Sequence, residues 1–171
     1  MVDTDFFLRD YNIAYTRRRY LKPMVSESEL KEMAELEKIC FPPPTNYDLR
    51  TLRIFASLNG AGLLRRREIV DDAPKLVAFM LFDCLAGELI TVDVHPDFRR
   101  LGLGRKLMTE ALKKLGELGH SKVTSQVAIT NESSLAMHKA LGFDVGRVLK
   151  NYYGPGRDAF NLIAKMKKTG E

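Results

Sequence analysis

The 171-residue chain contains no apolar run approaching the roughly 20 residues that a helical membrane span requires, and its opening Met1-Val2-Asp3-Thr4-Asp5 is acidic rather than basic and apolar. Neither a membrane span nor a secretory leader is readable, so a cytoplasmic protein without membrane contact is expected. Cysteine is scarce. Cys40 and Cys84 are the only two, and their separation fits no metal-ligand spacing, which predicts reduced, partly buried thiols and no metal centre. Internal repeats and low-complexity tracts are missing. So is any recognisable module of aromatics interleaved with basic residues, which removes specific nucleic-acid binding.

What is present is a sizeable apolar fraction, 45% of residues, enough in a chain of this length for one packed core. The net charge of +5 suits a small anionic ligand such as a nucleotide cofactor.

The stretch 88–118 organises the rest. A strand runs through Val92 and Val94 and is stopped by Pro96. A basic, glycine-spaced turn, Arg99-Arg100-Leu101-Gly102-Leu103-Gly104-Arg105-Lys106, then opens an amphipathic helix carrying Leu107, Met108, Ala111, Leu112, Leu115 and Leu118 on one stripe. Gly102 and Gly104 lack Cβ atoms, so the backbone can approach a ligand closely. The first amides of the helix are free to donate to phosphate oxygens.

Upstream, residues 1–16 form an extension and residues 16–23 a first strand. Ser26 and Glu29 make a capping box for a helix over 27–41, with Leu30, Met33, Leu36, Ile39 and Cys40 as its stripe. Consecutive prolines force the segment 41–47 into a stiff loop, either a substrate wall or a plain connector. A second helix follows over 48–57. Strands at 63–70, 76–82 and 88–94 read as an antiparallel meander, and the strand at 122–129, reached through the helix, as its parallel neighbour. A short helix over 131–142, capped by Asn131, precedes a closing hairpin of 143–151 and 159–166. This order predicts a three-layer mixed α/β domain.

Val94-His95-Pro96-Asp97-Phe98-Arg99-Arg100-Leu101-Gly102-Leu103-Gly104, followed by Asn131 and Leu141-Gly142-Phe143, resembles the GNAT superfamily of acetyl-CoA-dependent N-acetyltransferases over about residues 17–167. Glu37-x-x-Cys40-Phe41-Pro42, the loop Arg99 to Gly104, and Asn151-Tyr152-Tyr153 before Arg157-Asp158-Ala159 resemble the protein N-terminal acetyltransferases, of the ribosomal-protein alanine type and the archaeal type. The resemblance implies a single domain over 17–171 with a mostly antiparallel sheet of about seven strands. The sheet splays between its fourth and fifth strands and carries helices on both faces. It also implies acetyl-CoA as cofactor and a peptide or protein N-terminus as acceptor, with the ribosome as a candidate partner. Monomer and homodimer are both left open.

Residue by residue, the resemblance assigns the cofactor to Val92, Asp93, Val94, Arg99, Arg100, Leu101, Gly102, Leu103, Gly104, Arg105, Asn131 and His138. It assigns the acceptor slot to Phe41, Pro42, Tyr47, Tyr152 and Tyr153. Acetyl transfer needs placement, a proton acceptor for the amine, an oxyanion site and a proton for the thiolate. For the base, Glu88 stands six residues before Val94. Alternation places it with Ile90, Val92 and Val94, beside apolar neighbours, unless it is only a solvated strand end. Where the ribosomal-protein type carries a glutamate base, this chain has Gln126, which accepts no proton near neutrality. The tyrosine that protonates the thiolate is replaced by His138, read either as that acid or as a satisfied helix histidine. Tyr152 and Tyr153 are further candidates to touch the acceptor or take a proton through water. His95 and His120 read as structural. Acetylation of a small amine or a lysine side chain, and a non-catalytic acetyl-CoA-binding module, are the alternatives.

Overall fold

The computed structural model describes residues 15–16, 19–20, 23–43 and 45–166. Apart from its last two residues, the expected extension 1–16 lies outside them. A two-residue strand β1 (Tyr15–Thr16) pairs antiparallel with β2 (Arg19–Tyr20) in a sheet of its own.

Helix α1 (Glu27–Cys40) starts where the Ser26 side chain accepts from Glu29 N–H at 3.1 Å, and it stops at Cys40, before Pro42 and Pro43. Helix α2 (Leu49–Ser57) is capped in the same way by Asp48, which accepts from Thr51 N–H at 2.8 Å. Leu30, Met33, Leu36 and Leu52 bury one face of this pair against Leu63, Leu76, Phe79 and Leu81 of the sheet. On the opposite face lie α3 (Leu103–Glu117) and α4 (Glu132–Ala140). From α3, Leu107, Met108, Ala111 and Leu115 are fully buried, and each large apolar side chain so buried contributes about 1.5–3 kcal/mol. The result is three layers.

The central sheet holds β3 (Ala61–Val70), β4 (Ala73–Asp83), β5 (Glu88–Val94), β6 (Lys122–Ala128), β7 (Phe143–Leu149) and β8 (Ala159–Lys165), in the order β3-β4-β5-β6-β8-β7. Every pairing is antiparallel except β5 with β6, which are joined through α3. The β3–β4 turn places Asp71 and Asp72 at φ 51° and 59°, the doubly left-handed pair that matches strand twist in a two-residue hairpin.

Two expectations need correction. Among the described residues the sheet has six strands rather than about seven, and the described part of the segment expected to supply the first strand pairs within the small β1–β2 hairpin. The second concerns alternation along β5. Leu81 pairs with Thr91 but Phe82 pairs with Leu89, so Ile90 is the extra residue of a bulge. Leu89, Val92 and Val94 therefore face the α3 layer, while Ile90 packs with the α1–α2 layer. Glu88, pleated opposite Leu89, belongs to the α1–α2 side and does not share a face with Val92 and Val94.

Candidate functional site

Strands β5 and β6 touch over only two registers, Glu88 with Thr124 and Leu89 with Ser125. Beyond the bulge they separate, and the edge of β5 from Ile90 to Val94 faces a seam instead of a neighbouring strand. The predicted cofactor residues Val92, Asp93 and Val94 lie along this seam. Its far end is pinned, since the Val94 carbonyl accepts both from Cys40 Sγ at 3.3 Å and from Arg99 Nε at 3.0 Å. Burial pushes the Cys40 thiol up to about 12, with the neighbouring Asp93 adding to the shift, so it stays protonated and donates.

From Val94 the chain passes through a short 3-10 turn, Pro96–Phe98, into the glycine turn. Arg100 and Gly102 sit at φ 66° and 77°, and this left-handed pair folds the backbone under the start of α3. Helices α1, α2 and α4 each carry a side-chain cap; α3 carries none. The amides of Leu103, Gly104 and Arg105 therefore lack intrahelical acceptors and meet no carboxylate in the first turn, while Arg99, Arg100, Arg105 and Lys106 surround them with positive charge. A Cβ on Gly104 would stand 3.3 Å from Met137 Sδ and 3.5 Å from Val94, so glycine there keeps the crevice between α3, α4 and β5 open. Leu101 is exposed. An open groove of about 490 Å³ continues along Gly102, Arg105, Lys106, Thr109, Glu110 and Lys113.

On the opposite side of the sheet the loop 41–47 and the β7–β8 hairpin approach each other. Phe41 is half-buried and Pro42 exposed. The Tyr47 ring packs edge-on against Phe55 at 5.2 Å, and its N–H donates to Glu37 Oε1 at 3.1 Å. At the hairpin, Tyr153 OH donates to the Gln126 carbonyl at 3.0 Å and Tyr152 OH to Gln126 Oε1 at 3.4 Å, the two rings lying 4.8 Å apart. Burial raises all three phenols. Glu88 adds to this at Tyr47 and Tyr152, and Glu37 at Tyr47 and Tyr153. All three hydroxyls keep their protons, and Glu88 is a half-buried carboxyl within electrostatic reach of Tyr47 and Tyr152. Thus the structure brings Glu88, Tyr47, Tyr152, Tyr153 and Gln126 together.

His138 is elsewhere. It is buried on α4 with its ring 4.9 Å from Phe143, Nδ1 lying 2.8 Å from the Ser134 carbonyl and Nε2 3.0 Å from Ser125 Oγ. A carbonyl only accepts, so Nδ1 carries the hydrogen and Nε2 accepts from the serine. Burial lowers its pKa, which keeps the ring neutral. Asn131 Oδ1 caps α4 by accepting from Ser134 N–H at 3.1 Å. His120 is fixed by the Cys84 carbonyl at 2.7 Å and His95 caps the 3-10 turn.

Sequence reasoning missed one pair. Glu37 and Asp93 are 1% and 0% exposed and face each other between α1 and β5. The signals were an aspartate inside an apolar strand and a glutamate four residues after Met33, on the stripe assigned in part to Ile39, which is half exposed. Among the described residues no group of three His, Cys, Asp or Glu could hold a metal, and no helix is long and apolar enough to cross a membrane.

The model of the acetyltransferase (GNAT) family matches residues 30–143. An N-alpha-acetyltransferase of Sulfurisphaera tokodaii is 31% identical over 81 residues, 47% of this chain and 48% of the relative. The ribosomal protein bS18-alanine N-acetyltransferase of Escherichia coli is 31% identical over 81 residues, 46% of this chain and 55% of the relative. The matched segments thus span about half the length of these curated relatives. The crystal structure of the ribosomal-protein-S18-alanine N-acetyltransferase from Escherichia coli superposes with a TM-score of 0.72 at 20% identity, over 87% of this chain and 95% of that one.

Proposed function

From the premise that this chain belongs to the acetyltransferase (GNAT) family, we propose that it moves an acetyl group from acetyl-CoA to a primary amine, the α-amino group of a peptide or protein N-terminus. The observation that carries this reading is the uncapped, glycine-built start of α3 opening directly onto the two-register seam of β5 and β6. One feature suits a pyrophosphate and the other an extended pantetheine chain.

Acetyl-CoA supplies an activated thioester, so the chain has only to place it, receive a proton and stabilise charge. In this reading the amides at the start of α3 hold the pyrophosphate, Arg99, Arg100 and Arg105 add charge, and backbone along Val92, Asp93 and Val94 orients the pantetheine and the thioester oxygen. Glu88 takes the proton of the incoming ammonium through water. The phenols around it cannot, because their raised pKa values keep them protonated. Tyr152 and Tyr153 face the acceptor, with Phe41, Pro42 and Tyr47 as the opposite wall. His138 reads as a satisfied helix histidine, since its one N–H is bound to Ser134 and its other nitrogen is occupied by Ser125; the thiolate takes its proton from water.

The relatives named for N-terminal acetylation support the peptide acceptor over a small amine or a lysine side chain. An array of peptides with free and blocked N-termini, run beside polyamines with labelled acetyl-CoA, tests it. Label on free N-termini alone is expected; label only on polyamines or lysine side chains refutes the acceptor assignment. Gln126 favours a second reading, a non-catalytic acetyl-CoA-binding module. Calorimetric binding without turnover on any amine would establish that instead. For Glu88→Gln, kcat/KM should fall by about 10²–10⁴. An unchanged kcat/KM removes Glu88 from the mechanism.

A further inference from the structure

The reaction outlined above makes no use of the pair Glu37 and Asp93, and their surroundings are unusual for carboxyls. Both are buried, at 1% and 0% exposure, and neither forms an ion pair with a basic side chain among the described residues. Their outer oxygens are satisfied: Tyr47 N–H donates to Glu37 Oε1 at 3.1 Å and Thr91 Oγ1 to Asp93 Oδ2 at 2.9 Å. The other two oxygens, Glu37 Oε2 and Asp93 Oδ1, are buried without a hydrogen-bond partner. The two carboxyls face each other closely enough for each to act on the other. Two carboxylate oxygens repel each other, and the contact becomes a bond only when one hydrogen lies between them. Two ionised carboxylates buried together without a cation would carry a large uncompensated cost, which retention of a proton removes.

The pair also joins two working parts of the molecule. Glu37 lies in the last turn of α1 and holds, through the Tyr47 amide, the wall of the acceptor side. Asp93 lies on β5 between Val92 and Val94, where the strand faces the seam. We propose that Glu37 and Asp93 share one proton and act together as positioning residues for acetyl transfer, fixing the acceptor loop at Tyr47 against the strand that presents the thioester. This inference rests on the acetyltransferase reading above.

Of the titratable groups facing the pair, Cys40 from α1, Tyr47 from the loop and Tyr153 from the β7–β8 hairpin all have raised pKa values and keep their protons through the neutral range. Arg99 reaches the cluster at Cys40 and the Val94 carbonyl, and Glu88 acts on the outer side of Tyr47. Burial raises both carboxyls of the pair, Asp93 well above the ordinary range. The bond is therefore complete at lower pH. It fails as pH rises through the pair's own range, when a second negative charge drives α1 and β5 apart.

The test combines a direct reading of the proton with kinetics. Infrared spectra of the whole protein at neutral pH should show the carbonyl stretch of a buried carboxylic acid, and it should vanish in Asp93→Asn and in Glu37→Gln. Glu37→Ala should raise KM for the acceptor peptide about tenfold while moving kcat and acetyl-CoA affinity less than about threefold. Glu37→Gln, whose amide N–H replaces the shared hydrogen, should bring KM back most of the way and abolish its rise at alkaline pH. Absence of the carboxylic-acid band from the parent protein overturns the proposal. So does an alkaline KM rise that survives in Glu37→Gln. If Glu37→Ala does not fold, the band and the glutamine variant decide. A band present without turnover on any amine refutes the acetyltransferase reading and, with it, the positioning role. A band absent with turnover intact overturns the shared-proton proposal and leaves the acetyltransferase reading standing.

Discussion

Gly102 and Gly104 make separable contributions, and alanine at each should fail in a different way. At Gly102 the added Cβ meets nothing within 4 Å, but the backbone sits at φ 77°. A left-handed alanine costs about 1–2 kcal/mol, part of which is returned because alanine restricts the unfolded chain by about 0.4–1 kcal/mol. The net loss is about 1 kcal/mol, or about 2–4 °C in Tm for a chain of this size. The larger effect falls on the ligand. If the residue relaxes toward ordinary helix geometry, the Leu103 and Gly104 amides turn away. Losing one charge-assisted hydrogen bond, worth about 1.5–3 kcal/mol, raises Kd about 10- to 100-fold. Gly104 reverses this balance. It lies inside α3, where alanine gains up to about 1 kcal/mol of helix propensity, and the Met137 thioether 3.3 Å away can yield as the end of a flexible side chain. Gly104→Ala should therefore keep its Tm within about 2 °C and still bind acetyl-CoA about tenfold more weakly, because the methyl narrows the crevice beside Val94. Scanning calorimetry of the ligand-free variants and titration with acetyl-CoA measure the two quantities. Parent-like acetyl-CoA affinity in both variants would refute the assignment of this turn to the cofactor.

Other perturbations separate packing from chemistry. His138 has a folded-state pKa below its unfolded value, so the unfolded chain binds the proton first and stability falls as pH drops below about 6.5, by at most about 1.4 kcal/mol per pH unit. His138→Gln should remove that acid slope in thermal melts while single-turnover acetylation persists; abolished single-turnover chemistry in a folded variant would restore His138 as an acid. Tyr153→Phe removes the donor to the Gln126 carbonyl and should cost about 1 kcal/mol, with a higher acceptor KM and unchanged acetyl-CoA affinity. Parent-like acceptor kinetics would take Tyr153 out of the slot. Asn131→Ala should lose about 1 kcal/mol with the α4 cap, whereas Asn131→Asp keeps the capping oxygen and the stability; equal losses in the two would show that the cap is not what Asn131 supplies.

Elements that carry clear local chemistry are legible in the amino-acid sequence. Ser26 and Glu29 announce α1, Pro42 announces its end, and the glycine turn announces α3, because caps, prolines and positive φ act within a few residues of chain. The Asp71-Asp72 turn is of the same kind. What escapes depends on registers set by distant strands. The bulge at Ile90 has no local signature, since it arises from the match of β4 to β5, and it moves Glu88 to the other side of the sheet. Glu37 escapes because a glutamate on a helix is ordinarily solvated, and only the docking of α1 on β5 places it opposite Asp93. The convergence of Glu88 with Tyr47 and Tyr152 likewise needs three segments far apart in sequence, each positioned by the core rather than by its neighbours.

Two backbone registers join β3, β4 and β5 to β6, β8 and β7. Mechanically the sheet is two leaves on a short hinge, held otherwise by the helices laid across them. An extended chain seated in the gap would act as a seventh, interrupted strand, so ligand binding would complete the sheet as well as fill a pocket. Its affinity would then appear as cohesion between the leaves, growing with RT ln(1 + [L]/Kd). Amide exchange along Ile90 to Val94 would slow on binding far more than exchange within either leaf.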